Sequence, residues 1–197
     1  MSSRQDPWDA ASLLARWTLA GSIGWVVGLA AGMALTMAAG ILPWLDQDRF
    51  FVYAILISLG LTLGTAQWVV LRRYLPRPGR WITATLIGYL LCLILITGAN
   101  LAQLGGVGVW NNVLLLGLFG TAIGTAQWWI LRQHYRQAGL WVLASAVGFQ
   151  AFMWLVVNPA HSPGELVTRG PLIGALAAVV PGAVLVWLVH RALAAVS

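Results

Sequence analysis

Glutamine stands at positions 67 and 127, followed each time by tryptophan (Trp68, Trp128) and, four residues beyond that tryptophan, by arginine (Arg72, Arg132). A primary amide both donates and accepts hydrogen bonds. A guanidinium four residues after an indole lies on the same side of a helix, where it can rest on the ring face. This is the chemistry of recognition and helix contact, not of proton transfer. The carboxylates are Asp6, Asp9, Asp46, Asp48 and Glu165; none lies within these tracts, and no nucleophile stands beside a base there. His134, His161 and His190 are too scattered for a metal-ligand motif. Cys92, the one cysteine, can form no internal disulfide and reads as a small packing residue. "GGVG" at Gly105 lacks the lysine of a phosphate-binding loop. These residues predict no catalysis, no metal and no cofactor.

The elements carrying the motif are membrane helices. The chain has 197 residues, is 60% hydrophobic and only 8% charged, and has a mean hydropathy of +0.83. A bilayer core takes about 20 apolar residues per helix. Uncharged intervals, with a turn at "NLAQLGGVGVWNN", give six spans at 17–41, 50–71, 81–101, 110–131, 140–157 and 171–189. The runs are continuously apolar, which favours helices over alternating barrel strands. The fold class expected is therefore all-α, a single polytopic domain over 1–197. "NPAHSPGELVTRGP" is read as the longest outer loop, and Pro181 as a kink in the sixth span.

Orientation follows from arginine, since the chain has no lysine. With six spans, Arg4, Arg16, Arg72, Arg73, Arg77, Arg80, Arg132, Arg136 and Arg191 share one side, and Arg49 and Arg169 take the other with Asp46, Asp48 and Glu165. Positive-inside bias then puts both termini in the cytoplasm. The net charge of +6 is accounted for by topology, without nucleic acid. His134 and His190 fall at the cytoplasmic edge and His161 in an outer loop, none at mid-membrane.

The motif belongs to a larger repeat. Odd spans open with tryptophan, a glycine seven residues on, then an aromatic: Trp17, Gly24, Trp25; Trp81, Gly88, Tyr89; Trp141, Gly148, Phe149. Even spans close on Trp68 and Arg72, Trp128 and Arg132, and Trp187 and Arg191, with the tryptophans 60 and 59 residues apart. The chain reads as three tandem parallel hairpins, near 15–73, 79–133 and 139–192, with Val186 where a third glutamine would stand. Gly60, Gly64 and Gln67, like Gly120, Gly124 and Gln127, form a small-residue stripe suited to close helix contact. The matching small positions on the odd spans are Gly21, Gly24, Gly28; Ala84, Thr85, Gly88; and Ala144, Ser145, Gly148. Gln67 and Gln127 are therefore expected between helices, and Gln150 is the other candidate for an interhelical bond or polar pocket. Trp68, Trp128 and Trp187 read as belt anchors. Arg72, Arg73, Arg77, Arg80, Arg132, Arg136 and Arg191 read as cations facing anionic lipid or an acidic partner.

The pattern Gly-x-x-Gln-Trp-x-x-Leu-Arg, then a short basic turn and a Trp-led helix, resembles a group of uncharacterised bacterial multi-pass membrane proteins. The resemblance rests on Gly64, Gln67, Trp68, Leu71, Arg72 and Trp81 and on Gly124, Gln127, Trp128, Leu131, Arg132 and Trp141. It implies fold and membrane location, and no activity. The functional expectation is a non-catalytic structural, assembly or interaction subunit of the bacterial cytoplasmic membrane, with lipids and another membrane protein as partners. The alternatives are a small transporter or channel along the repeat axis, and a pigment-binding subunit.

Overall fold

The computed structural model describes residues 10–40, 46–75, 77, 79–101, 109–152 and 162–194, and these are all-helical, with no strand among them. The helices are α1 (Ala10–Ala39), α2 (Gln47–Leu71), α3 (Gly79–Leu101), α4 (Val109–Leu131), α5 (Leu140–Phe149), which runs into a 3-10 turn at Gln150–Phe152, and α6 (Pro163–Ala194). Five of them are long and apolar enough to cross a membrane, while α5 has ten residues. In hydrocarbon a helix satisfies its own backbone, so uninterrupted apolar runs become helices whatever their side-chain periodicity.

Helix ends follow local chemistry. The Asp46 carboxylate caps α2 by accepting the Arg49 N–H at 3.2 Å. The carbonyl of Leu71 takes the Leu75 N–H at 3.0 Å, and that of Leu131 takes the Tyr135 N–H at 2.8 Å. Both cytoplasm-assigned turns thus start alike. At the other end the expected outer loop needs correction. Helix α6 already begins at Pro163, so Glu165, Arg169 and Pro171 are helical. Ser162 Oγ accepts the Glu165 N–H at 3.2 Å, with proline at the first helical position. Of the expected fifth span, Leu140–Phe149 is α-helical and runs into the 3-10 turn at Gln150–Phe152, and 153–157, like the glycine-rich 102–108 and His161, lie outside the described residues.

Each helix packs on the next, and α6 packs on α1, closing a ring. Two sets of small residues make this possible. A Cβ on Gly24 would lie 2.9 Å from Leu63 Cα, one on Gly88 2.6 Å from Ile123 Cα, and one on Gly148 2.5 Å from the Ala177 carbonyl. These contacts join α1 to α2, α3 to α4 and α5 to α6. The even-helix glycines face the other way around the ring: Gly60 and Gly64 meet α3, and Gly120 and Gly124 meet α5. The even-helix glycines thus join α2 to α3 and α4 to α5, while the odd-helix glycines join α1 to α2, α3 to α4 and α5 to α6. Thr62 reinforces the α1–α2 contact, its hydroxyl donating to Gly24 O at 2.8 Å. The outer surface is apolar; Leu114, Leu143 and Ile94 are about two-thirds exposed, as expected of a lipid-facing belt.

Candidate functional site

Trp17 of α1, Trp81 of α3 and Trp141 of α5 meet on the ring axis. Their ring centroids are 5.5, 5.6 and 6.1 Å apart, with interplanar angles of 75° to 82°. All three are at most 1% exposed. Edge-to-face pairs contribute about 0.5 to 1.5 kcal/mol each beyond burial. The tryptophan triangle closes the axis at the arginine-rich end. Eight residues along the same helices, Trp25, Tyr89 and Phe149 form a second aromatic layer, with Tyr89 and Phe149 6.5 Å apart.

Between these layers lies the polar part of the motif. Trp81 Nε1 donates to Gln67 Oε1 at 3.0 Å, and Trp141 Nε1 donates to Gln127 Oε1 at 2.9 Å. Gln127 Nε2 donates to Thr85 Oγ1 at 3.0 Å and approaches Gln67 Oε1 at 3.5 Å; Thr85 in turn donates to the Trp81 carbonyl. The tryptophan ending each "GTAQW…W" tract is therefore the hydrogen-bond partner of the glutamine beginning it. Gln127 is only 3% exposed. Gln150 stands apart, bonding Val113 O of α4 at 3.1 Å from the 3-10 turn.

The third corner departs from this pattern, and by a different residue than the sequence suggests. An added Cβ on Gly120 would meet Ser145 and Ala146, four and five residues past Trp141. On Gly174 it would meet Gly21 and Ser22, four and five residues past Trp17. Gly124 faces Ser145 as Ala178 faces Gly21. In packing, Gly174, Ala178, Pro181 and Leu185 of α6 thus take the places of Gly120, Gly124, Gln127 and Leu131 of α4. Leu71, Leu131 and Leu185 are all fully buried. Pro181, not Val186, holds the third glutamine position. Proline has no side-chain acceptor, and Trp17 Nε1 is accordingly buried with no hydrogen-bond partner among the described residues. A donor left so costs about 1 to 3 kcal/mol.

The loss of that glutamine leaves space. A cavity of about 60 Å³ lies between the aromatic layers, lined by Gln67, Thr85, Gln127 and Ser145 on one side and by Gly21, Gly174, Ala177, Ala178 and Pro181 on the other.

The tryptophans and arginines four residues apart lie close together. Arg132 lies 4.9 Å from the Trp128 ring centre and 3.8 Å from that of Trp129. Arg191 lies 4.8 Å from Trp187 and donates to Gln137 Oε1 at 2.8 Å. Arg72 is more loosely held, 6.0 Å from Trp68. Arg72 and Arg73 join Arg16 at the mouth of an open groove of about 450 Å³ between α1 and α2, floored by Ala20 and Ala66 and walled by Leu19, Ile23, Val69 and Val70. Neither Arg16 nor Arg73 has a hydrogen-bond or ion-pair partner among the described residues. By contrast, Arg49 pairs with Asp46 at 3.1 Å and Arg169 with Glu165 at 3.7 Å at the opposite end. Tyr74 also lines the groove; burial raises its phenol above the ordinary value, against the lowering pull of Arg16 and Arg73. Arg77, Arg80, Arg136, His134 and His190 are exposed at the same end. Arg16 was not singled out in the sequence, because only the fold brings the first turns of α1 beside the end of α2.

Comparison with protein-family models, curated proteins and solved structures gives no match to this chain.

Proposed function

We propose that the protein is a non-catalytic subunit of the bacterial cytoplasmic membrane, built from three tandem hairpins that cross as six spans with both termini in the cytoplasm, and that it holds anionic phospholipid at its cytoplasmic face. The observation that carries the reading is the groove between α1 and α2. Its three arginines, two of them without a hydrogen-bond or ion-pair partner among the described residues, stand above an apolar trough that opens on the lipid-facing belt. A phosphate fits the guanidinium groups, and acyl chains fit Leu19, Ile23 and Val69. The motif's remaining polar groups support a scaffold role, since Gln67 and Gln127 are bonded to Trp81 and Trp141 across helices.

Native mass spectrometry of protein extracted in mild detergent tests this. Replacing Arg16, Arg72 and Arg73 together with Gln is expected to lower co-purified phosphatidylglycerol and cardiolipin several-fold, and Arg132→Gln with Arg136→Gln to leave most of it. Equal lipid in both variants defeats the groove as the site; loss of the protein from the membrane fraction defeats the membrane reading. The channel and pigment alternatives are weaker. The cavity on the axis is closed by tryptophan, and at about 60 Å³ it takes water-sized molecules and not a macrocycle.

A further inference from the structure

Of the three corners of the axial layer, two are filled by a glutamine amide and one is not. At the unfilled corner the side chains facing the axis shrink together: Gly21 stands where α3 has Thr85 and α5 has Ser145, and Pro181 stands where α2 and α4 have glutamine. Trp17 borders this corner: it lines the chamber, and a Cβ on Gly182 of α6 would lie 2.7 Å from its Cδ1, the ring atom bonded to the indole nitrogen.

We propose that the axial chamber is a binding site for a small uncharged hydrogen-bonding molecule, either water or a primary amide, seated where the third glutamine amide is missing. Four observations carry it. Trp17 Nε1 is a buried donor without an acceptor among the described residues. Ser145, whose hydroxyl has no partner among the described residues, lines the same chamber. The volume, about 60 Å³, holds about two waters at roughly 30 Å³ each, or one amide of similar bulk. Among the described residues no charged side chain lines the chamber, so an ion would enter without compensation and a neutral molecule is selected. The inference uses the interior alone and does not depend on the lipid reading.

Crystal structures grown from a lipidic mesophase, at a resolution that shows ordered water, test the site in the wild-type chain and in Pro181→Gln, which returns the missing amide. Density within hydrogen-bond distance of Trp17 Nε1 in the wild type, displaced in Pro181→Gln, is the expected result. Trp17→Phe, which removes the donor and leaves a smaller aromatic ring, provides the same comparison should Pro181→Gln not fold, and should lose that density. Acetamide identifies the source: a saturable rise in melting temperature for the wild type, absent in Pro181→Gln, assigns an amide, and density with no acetamide response assigns water. An empty chamber in the wild type, or density unchanged in Trp17→Phe, overturns the proposal.

Discussion

Gln127 accepts the indole N–H of Trp141 at 2.9 Å, fourteen residues later in the chain and across the turn between α4 and α5. Its amide also donates to Thr85 of α3, so one side chain ties three helices. Replacing Gln127 with Leu leaves the buried Trp141 N–H unpaired and removes the bond to Thr85, whose hydroxyl keeps the Trp81 carbonyl, and a loss of about 2 to 4 kcal/mol is expected. Gln150→Leu, which removes a single half-buried bond to Val113, should cost about 1 kcal/mol. Thermal unfolding in detergent, followed for both variants, checks the order; a Gln127 variant as stable as the Gln150 variant contradicts it.

The same contact predicts non-additivity. Trp141→Phe removes the donor and keeps most of the ring, so the double variant with Gln127→Leu should lose less than the two single losses combined, by about 1 kcal/mol. A double-mutant cycle measures this, and strict additivity would mean that the bond contributes nothing.

Glycine positions divide sharply. Leucine at Gly88 would drive a side chain into the backbone of Ile123, whereas a Cβ at Gly79 or Gly139 meets nothing within 4 Å. Gly88→Leu is expected to give aggregated protein on size-exclusion chromatography. Gly79→Ala and Gly139→Ala should elute as wild type.

Cys92 gives a built-in reporter. It is fully buried, with its thiol 3.8 Å from the Phe119 carbonyl, so a maleimide should label it only when the ring opens. Labelling in mild detergent should be at least tenfold slower than in SDS. Equal rates would place Cys92 on the surface.

Orientation is open to direct measurement. With the arginine-rich end in the cytoplasm, a C-terminal green fluorescent protein should glow and a C-terminal alkaline phosphatase should stay inactive. The opposite pair of results would reverse the assignment made from charge.

Much of the frame was legible in the sequence. The expected spans at 50–71, 81–101 and 110–131 begin one to three residues inside α2, α3 and α4 and end on the same residues, because charge and apolar length set those limits. Trp17, Trp81 and Trp141 and the glycines seven residues on were recognised as a recurring pattern. Their meeting on one axis depends on ring closure, a long-range contact that no local spacing encodes. The bond from Gln67 to Trp81 escaped for a related reason: the two lie on different helices, and helical periodicity compares positions only within one. At the third corner, alignment through Trp187 and Arg191 followed the belt, where depth matters, and missed the interior register set by Gly174 and Ala178. The start of α6 was hidden by "SPGE", in which proline and glycine suggest a loop while Ser162 and Glu165 form a helix cap.

Closure of the ring has a consequence for the order in which the protein can be made. The contact between Ser22 and the Pro171 carbonyl joins positions 149 residues apart, and α1 keeps one flank uncovered until α6 is synthesised. Contacts this distant in sequence form late. For most of translation, Trp17, Gly21 and Trp25 must therefore face lipid or a temporary neighbour, and the last helix to emerge is the one that releases the first.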